Sequence, residues 1–466
     1  MPSLPWSSLR FWSRIGALGG LVIGAAAAQP APATVQGLPE DLLPGLAPIL
    51  QAAVTRAPEA IRASIDVAAA EARRTIGESV LRPSVNANLR YGVNQERALS
   101  NDAGQSNTSS GFFYGIGATQ PVYHWGALKA QADRDRLGVT VAQRLSEETY
   151  RQLVLALRRS YLELVARKGA LRALDEQLVQ DRAALADDEE KFRAGLIPAG
   201  ALGGTRLTVE QRQIDIDRAR ADFDAARRTL SRAAGIPELA ADAIPDTVAR
   251  PAAAPAAGEG LLQAFLQGGG AEQTPQAQAL ALGIRQSEQS YLIASRRLFP
   301  KFSIYTGYDI RNETQAESNR IRQVQIAAFS YGLKADWSIF DGRATTGEKA
   351  LALAQKRDNE RRLESHLEAV KESARVQAQQ LDLARRQLDI AERGLSGAEA
   401  VLKETKDEFA AGRASAADVE RATLALTGAK AKIVPARADY LMRWAEFVSL
   451  VGVDPAMNNL PVRHAR

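Results

Sequence analysis

The segment 157–192 reads LRRSYLELVARKGALRALDEQLVQDRAALADDEEKF, and a large apolar residue recurs in it every seven positions. The recurring side chains are Leu157, Leu164, Leu171, Leu178, Leu185 and Phe192. A strict seven-residue period predicts helices that pack side by side with a left-handed supercoil. No proline interrupts residues 127–194, and a continuous helix of that length would extend roughly 100 Å, far beyond the width of a compact domain.

The whole pattern occurs twice, at a constant offset of 217 residues. The second long stripe is Leu381, Leu388, Leu395, Leu402 and Phe409, and the paired landmarks include Pro83 with Pro300, Tyr91 with Tyr308, Gly195 with Gly412, and Gly235 with Gly452. A fixed internal period is typical of a duplicated structural unit. Each unit is predicted to run helix, strand, loop, strand, very long helix, tight turn, helix.

The first 28 residues have the features of a secretory signal peptide. Arg10 and Arg14 precede the short apolar run 15–28, and Ala26 to Ala28 offer a small-residue cleavage site. Removing these two arginines lowers the formal net charge from +5 to +3 (5 − 2 = 3), and no basic, aromatic-rich cluster suggests a nucleic-acid partner. The chain has no cysteine, which excludes disulfides, a thiolate metal site, a cysteine nucleophile and a lipid anchor on an N-terminal cysteine.

Two pairs of segments alternate apolar and polar residues with period two, which predicts β-strands. They cover about 83–93 and 112–124 in the first unit and 299–310 and 325–341 in the second; the polar stretches 94–111 and 311–323 between them suit exposed loops. Alternating strands with aromatic residues at both ends are the pattern of outer-membrane barrels. The candidate membrane-interface aromatics are Tyr91, Phe112, Phe113, Tyr123, Trp125, Tyr308, Trp337 and Phe340. For Trp125 and Trp337, packing at a strand–helix junction is the alternative.

Four strands cannot close a barrel, and an open sheet edge is not tolerated in hydrocarbon because its backbone groups would have no partner. Several copies must therefore share one barrel, and three copies of four strands give twelve under rotational symmetry. The fold expected is mainly α-helical with membrane β-barrel strands: two repeats per chain, and a trimeric 12-stranded β-barrel continued by a long α-helical barrel.

The chain resembles the TolC-like outer-membrane channel family over about residues 50–455. The resemblance is carried by the order of several segments, each present twice: LRP at 81–83 and LFP at 298–300, QPVYHWG at 120–126 and WSIFDG at 337–342, KFRAGL at 191–196 and EFAAGR at 408–413. It implies a homotrimer in the outer membrane of a Gram-negative-type bacterium, with its helices in the periplasm. It also implies a periplasmic adaptor, an inner-membrane pump of the RND, ABC or MFS type, and contact with outer-membrane lipid.

The resemblance further implies roles for particular residues. Gly195 and Leu196 in the first unit, and Gly412 and Arg413 in the second, match the hairpin tips that meet the adaptor; a plain helix stop by glycine is the alternative. Asp418 matches the first of two gate aspartates, and Arg421 occupies the slot of the second. An ion pair between Asp418 and Arg421 on one helix face is the alternative to a ring of acidic groups.

The remaining segments are expected to be an N-terminal arm at 29–50, repeat 1 at 51–235, a proline-containing linker at 236–273, repeat 2 at 274–452 and a C-terminal tail at 453–466. Within the repeats, helical hairpins are expected at 127–234 and 344–451. The arm is expected to be loosely held and the tail to be flexible.

The function expected is a passive outer-membrane exit duct of a tripartite efflux pump or a type I secretion system. The alternative is a periplasmic coiled-coil adaptor or scaffold protein. An enzyme is not expected, because no nucleophile elbow or phosphate-binding glycine loop occurs. No cofactor or metal is expected, since the histidines at 124, 366 and 464 show no ligand spacing. The cargo is not encoded in any recognisable motif.

Overall fold

The computed structural model describes residues 37–98, 105–251, 257–317 and 320–459. The expected signal peptide and the beginning of the N-terminal arm lie outside these ranges. The helices are α1 Pro39–Leu42, α2 Leu46–Arg56, α3 Pro58–Ser79, α4 Ala127–Arg193, α5 Ala199–Ala234, α6 Ala257–Gln267, α7 Gly270–Gln273, α8 Pro275–Ser295, α9 Ala344–Ala410 and α10 Ala416–Leu450. The strands are β1 Ser84–Ala98, β2 Gln105–Tyr123, β3 Lys301–Glu317 and β4 Arg320–Asp336, and short 3-10 helices lie at Ala241–Ala243 and Pro455–Asn459.

The two repeats are visible in the backbone. Helices α4 and α9 both contain 67 residues, and each begins and ends 217 positions from its counterpart. Backbone conformations with positive φ recur at the same offset, at Trp125 and Gly342 and at Gly126 and Arg343. Side chains at these paired positions differ while the backbone turns are alike, so the duplication is kept by geometry more than by sequence identity.

The four strands form one antiparallel sheet in the order β1-β2-β3-β4. The first unit's hairpin pairs with the second's through β2 and β3, where Tyr114 faces Ile310 and Ile116 faces Tyr308. Strands β1 and β4 each pair on one side only. The sheet of one chain therefore has two open edges, and the strands run farther than the alternating pattern indicates, since β1 reaches Ala98 and β3 reaches Glu317. The expected loops 94–111 and 311–323 are thus wrong as long loops: polar residues there continue the ladder, because cross-strand backbone bonds do not depend on apolar side chains.

Each long helix packs against its hairpin partner through the heptad stripe. Leu157, Leu164 and Leu178 of α4 are buried, and so are Ile216 and Phe223 of α5. The second hairpin buries Leu381 and Leu388 against Ile433, Tyr440 and Phe447. Toward the tips the stripe is only half-buried, at Leu185 and at Leu402, because within one chain a tip helix has a single neighbour. Among the described residues, no helix combines the length and the apolar character needed to cross a bilayer.

The main core lies around the middle of the helices and includes both ends of the described chain. Leu38, Leu43 and Leu46 are almost fully buried in it, so the expectation of a loosely held arm is wrong from residue 38 onward. The start of the C-terminal tail is held too: Asp454 is buried and bonded to Arg158, and Ala456 and Met457 pack against the core, so the expectation of a flexible tail after Pro455 is wrong as far as Asn459. The physical reasons differ: burial of apolar side chains favours the leucine-rich segment, whereas the buried carboxylate of Asp454 is held by its hydrogen-bonded ion pair with Arg158.

A buried ion cluster joins these two segments to α4. The Nη2 atom of Arg158 donates to Oδ1 of Asp454 at 2.9 Å, and its Nε donates to Oε2 of Glu40 at 3.0 Å. Burial by itself lowers the pKa of Arg158, but the bonds to Asp454 and Glu40 outweigh it and hold that pKa above its ordinary value. Arg158 therefore stays charged, and it fixes residues from both ends of the chain on one helix.

Candidate functional site

Each helical hairpin ends in the same turn. Helix α4 ends at Arg193, where the Leu196 N–H donates to the Lys191 carbonyl at 2.8 Å and the Gly195 N–H to the Phe192 carbonyl at 2.9 Å. In the second tip, Arg413 and Gly412 donate to the Glu408 and Phe409 carbonyls at 2.8 Å and 3.0 Å. Paired bonds of this kind close a helix on a left-handed residue, which favours glycine. Gly195 and Gly412 have φ of 74° and 71°, so their helix-stop role is observed directly.

The two tips present different chemistry on this common backbone. Leu196 is 74% exposed at the first tip, and the corresponding Arg413 is exposed at the second. Phe192 and Phe409 are each about half exposed just before the glycines. At the position after the glycine, one chain therefore offers an apolar side chain at the first tip and a basic one at the second, while Arg193, 73% exposed, adds a basic side chain to the first tip.

Asp418 caps the helix that follows the second tip. Its Oδ2 accepts from the backbone N–H of Ser415 at 2.9 Å and from the Ser415 hydroxyl at 2.6 Å, while the Asp418 N–H donates back to Oγ of Ser415 at 3.3 Å. This is a capping box, which satisfies the free N–H groups at a helix start. The bonds from Ser415 hold the pKa of Asp418 below its usual value, and the charge of Arg421 adds to that effect.

Arg421 binds the same carboxylate, with Nη2 at 2.6 Å from Oδ1 of Asp418. The ion pair that sequence analysis offered as the alternative to an acidic ring is therefore formed within one chain. Both side chains are partly open to solvent, at 40% for Asp418 and 75% for Arg421. A solute near this tip would meet a carboxylate whose charge is largely offset, and a gate role for Asp418 stays a proposal.

The sheet has one apolar face, and Tyr91, Phe112 and Tyr308 of the candidate interface aromatics belong to it. Leu89, Tyr91 and Phe112 are all more than half exposed there, and the rings of Tyr91 and Phe112 lie 4.9 Å apart. Tyr308 faces Ile116 in the β2–β3 ladder and Phe329 in the β3–β4 ladder, on the same face. An exposed apolar face of this extent is not tolerated in water and suits lipid.

Phe113 lies on the opposite, polar face, so its assignment as a membrane-interface aromatic is wrong. Successive side chains of a strand point to opposite faces, and Phe112 and Phe113 cannot both face lipid. Phe113 faces Arg90 across the β1–β2 ladder and Arg311 across the β2–β3 ladder. The alternation in the sequence already places Arg90 on the polar face but assigns it no role. Arg311 falls in the expected loop 311–323; counting positions from Tyr308 places it on the polar face as well.

The aromatics at the helix end of the sheet pack into the strand–helix junction. Trp125 has positive φ, contacts the rings of Tyr123 and Phe299 at 4.9 Å and 5.1 Å, and donates from Nε1 to the Pro300 carbonyl at 2.8 Å. Trp337 donates from Nε1 to the Leu298 carbonyl at 3.0 Å but remains 63% exposed, and Phe340 is 80% exposed. Trp125 is thus a junction residue, whereas Trp337 and Phe340 leave large apolar surface open.

In both repeats, a side chain donates a hydrogen bond to the backbone carbonyl at the equivalent position. Gln120 lies 217 positions before Trp337, and its Nε2 donates to the Leu81 carbonyl at 3.1 Å, as Trp337 does to Leu298. An amide and an indole therefore have the same structural role, because each ties the end of the preceding helical segment to the return strand.

Within the described ranges, no three His, Asp or Glu side chains lie close enough together to hold a metal ion. Ionisable groups occur instead as ion pairs along the helices, such as Arg212 with Asp181 at 2.9 Å between α5 and α4.

The sequence profile of the outer membrane efflux proteins matches residues 49–236 and 271–453. No curated relative matches the sequence. Among solved structures, the chain is similar to the Campylobacter jejuni CmeC outer membrane channel, with a TM-score of 0.70 and 15% identity over 94% of this chain and 95% of that one. It is also similar to a membrane protein from Pseudomonas aeruginosa (0.66, 17%, covering 91% and 95%). A third similar structure is the open state of the Neisseria gonorrhoeae MtrE outer membrane channel (0.63, 15%, covering 91% and 91%).

Proposed function

The chain belongs to the outer membrane efflux protein family, and from that premise we propose that it is the exit duct of a tripartite efflux pump or a type I secretion system. Three copies form the duct. The sheets cross the outer membrane, and the long helices line a passage through the periplasm. The duct conducts passively, and an inner-membrane pump of the RND, ABC or MFS type supplies the energy.

The observation that carries this proposal is the sheet with one apolar face and two open edges. The apolar face exposes Leu89, Phe329 and Tyr331 to at least two thirds of their area, which favours a lipid environment. In lipid, the unpaired N–H and C=O groups of β1 and β4 would each cost several kcal/mol. Pairing β1 of one copy with β4 of the next removes both edges at once, and threefold closure gives twelve strands from three sheets of four.

The helices support the same assembly. Helices α4 and α9 each carry exposed apolar residues, such as Val179 and Val401. Those side chains lie where a neighbouring copy's helices would cover them, and the half-buried tip stripe would then become buried. A continuous helical wall follows from the same rotation that closes the sheet.

The tips are the proposed contact with a periplasmic adaptor. Leu196 would supply an apolar contact and Arg413 a charged one, and the hydrogen-bonded turns would hold both in place before the partner binds. In a trimer each tip occurs three times, so an adaptor would meet alternating apolar and basic contacts. Asp418 and Arg421 lie within the first turns after the second tip, and we include both in the proposed periplasmic gate.

A labelling experiment tests the sheet's orientation. Because the chain has no cysteine, only the introduced cysteine can react with the reagent. Asn88 and Leu89 are neighbours on β1 and point to opposite faces. In native membranes, Asn88→Cys is expected to react with a water-soluble, membrane-impermeant maleimide, because it faces a water-filled lumen. Leu89→Cys is expected to resist the reagent, because it faces lipid. After unfolding in detergent and urea, both should react equally.

The location and mass of the protein complete the test. The chain is expected in the outer-membrane fraction, and its mass in mild detergent should equal three copies. If Leu89→Cys reacts as fast as Asn88→Cys and the protein washes out with the periplasm, the duct is refuted and a periplasmic scaffold takes its place. If the protein is an outer-membrane trimer but Leu89→Cys alone reacts, the proposed faces are reversed.

A further inference from the structure

The polar face of the sheet carries a row of three large side chains that no role described so far uses. Arg90, Phe113 and Arg311 face one another across β1, β2 and β3. The guanidinium of Arg90 lies 4.7 Å from the centre of the Phe113 ring, and that of Arg311 lies 5.6 Å from it. Stacking of this kind is a cation–π interaction, and it holds the positive charge of Arg90 flat against the sheet.

Glycines border part of this row, while Ile326 of β4 lies beside Arg311 at its other end. Gly92 and Gly111 face each other across β1 and β2, two positions farther from the helices than Arg90 and Phe113. Gly115 lies two positions nearer to the helices than Phe113. A Cβ at Gly115 would lie 2.2 Å from Oδ1 of Asp309 and 3.1 Å from Oδ1 of Asn88. The carboxylate of Asp309 is therefore folded over Gly115, one row closer to the helices.

The charges of this face are unevenly distributed. Lys334 is paired with Asp336 at 3.1 Å, nearer to the helical end of the sheet. Arg90 is exposed, and among the side chains that the structure describes no carboxylate lies within 4.0 Å of its guanidinium. Its positive charge is therefore exposed in front of the polar face, and no carboxylate among the described side chains neutralises it by direct contact.

We propose that this row forms a basic ring inside the membrane channel and that the ring makes the duct favour anionic solutes. The inference rests on the proposed function, because only a closed assembly gives the polar face a lumen. Three copies place three Arg90 side chains at one level, each stacked on Phe113 with Arg311 beside it. Rings of arginine or lysine are the usual basis of anion preference in pores.

The size of the effect follows from Coulomb's law. A unit charge about 10 Å from an ion in a medium like bulk water changes the local concentration of that ion about twofold, and the effect is larger where the wall excludes water. Removing Arg90 removes this contribution from each of three copies. We therefore expect the anion-to-cation permeability ratio to fall by about twofold or more.

The reversal potential of the purified trimer in a planar bilayer under a potassium chloride gradient measures this ratio. Arg90→Gln is expected to shift the reversal potential toward cation preference, and Arg90→Lys, which keeps the charge, should stay close to the original protein. Lys334→Gln is the matched control: it removes one positive charge from the same face, but a charge already paired with Asp336. It is expected to leave the ratio nearly unchanged.

The outcomes separate this inference from the function it rests on. A conducting trimer whose selectivity is the same with Arg90→Gln overturns the basic ring and leaves the duct intact. An equal shift with Lys334→Gln also overturns it, since total charge on the face and not the row would then decide selectivity. A protein that carries no current in any form, the unaltered chain included, overturns both.

Discussion

Replacing Arg158 by methionine should destabilise the protein far more than the same change at its counterpart in the second repeat. Arg158 has no solvent-exposed side-chain area, and its partner Asp454 retains only 1%. Removing the guanidinium leaves the carboxylates of Asp454 and Glu40 inside the core without a cation. Loss of one member of a buried ion pair costs about 3–5 kcal/mol.

The expected change in melting temperature follows from the size of the chain. At about 2.1 cal/mol/K per residue, a chain of 466 residues has an unfolding entropy near 1 kcal/mol/K. The midpoint should therefore fall by about 3–5 °C for Arg158→Met. Thermal unfolding of the purified protein in one detergent, followed by circular dichroism of the helices, gives the measurement.

Arg375 is the matched control, because it lies 217 positions after Arg158 and is also an arginine on a long helix. It pairs with Glu372 at 3.2 Å on the surface, with 54% and 66% of the two side chains exposed. Surface pairs of this kind contribute about 0–1 kcal/mol, so Arg375→Met should move the midpoint by less than about 1 °C. Adding Asp454→Asn to Arg158→Met should recover part of the loss, because it removes a stranded charge. Equal shifts for Arg158→Met and Arg375→Met would refute the reasoning.

Two further changes test local geometry and pH dependence. Gly235→Ala should lower the unfolding midpoint more than Gly452→Ala. Both glycines have positive φ, which costs other residues about 1–2 kcal/mol. A Cβ at Gly235 would in addition lie 2.0 Å from the Arg56 carbonyl oxygen, whereas nothing lies within 4 Å of a Cβ at Gly452. A larger loss at Gly452 would contradict this account. The pKa of Asp418 lies below its ordinary value of 3.8 in the fold, so the stability it contributes is present above that value and is lost as the pH falls through the lower folded pKa. Asp418→Asn should therefore speed hydrogen exchange in the first turn of α10 at neutral pH, and its difference from the unaltered protein should shrink as the pH falls below 3.8 and through the lower folded pKa; an acceleration that stays constant as the pH falls would exclude the charged cap.

The sequence predicted the largest features well because each rests on a long, regular pattern. The seven-residue period predicted both long helices, and α4 and α9 start at the expected residues 127 and 344. The fixed offset predicted the second unit from the first, including the turns at Gly195 and Gly412. The resemblance to the TolC-like family is confirmed by the family profile. Patterns of this length average over many residues, so a few irregular positions do not obscure them.

Shorter features were predicted less well, because their outcome depends on neighbours distant in the sequence. The leucines of residues 38–50 favour burial, but nothing in that stretch identifies their partners, which are α4 and the segment around Asp454 that Arg158 joins to Glu40. Phe113 was assigned to lipid because aromatics were counted without the register that fixes its face.

The sequence by itself determined the duplicated plan, the long helices, the alternating strands and the turns between helices, since these follow from local periodicity and from the backbone freedom of glycine. Only the tertiary structure decided which strands pair and in which register, which charges are buried together and where Asp418 directs its carboxylate. Those outcomes depend on pairing between β1, β2 and β3 and on contacts between residues as distant as Glu40 and Asp454. Burial and register are properties of the packed chain, and an isolated stretch of sequence does not contain them.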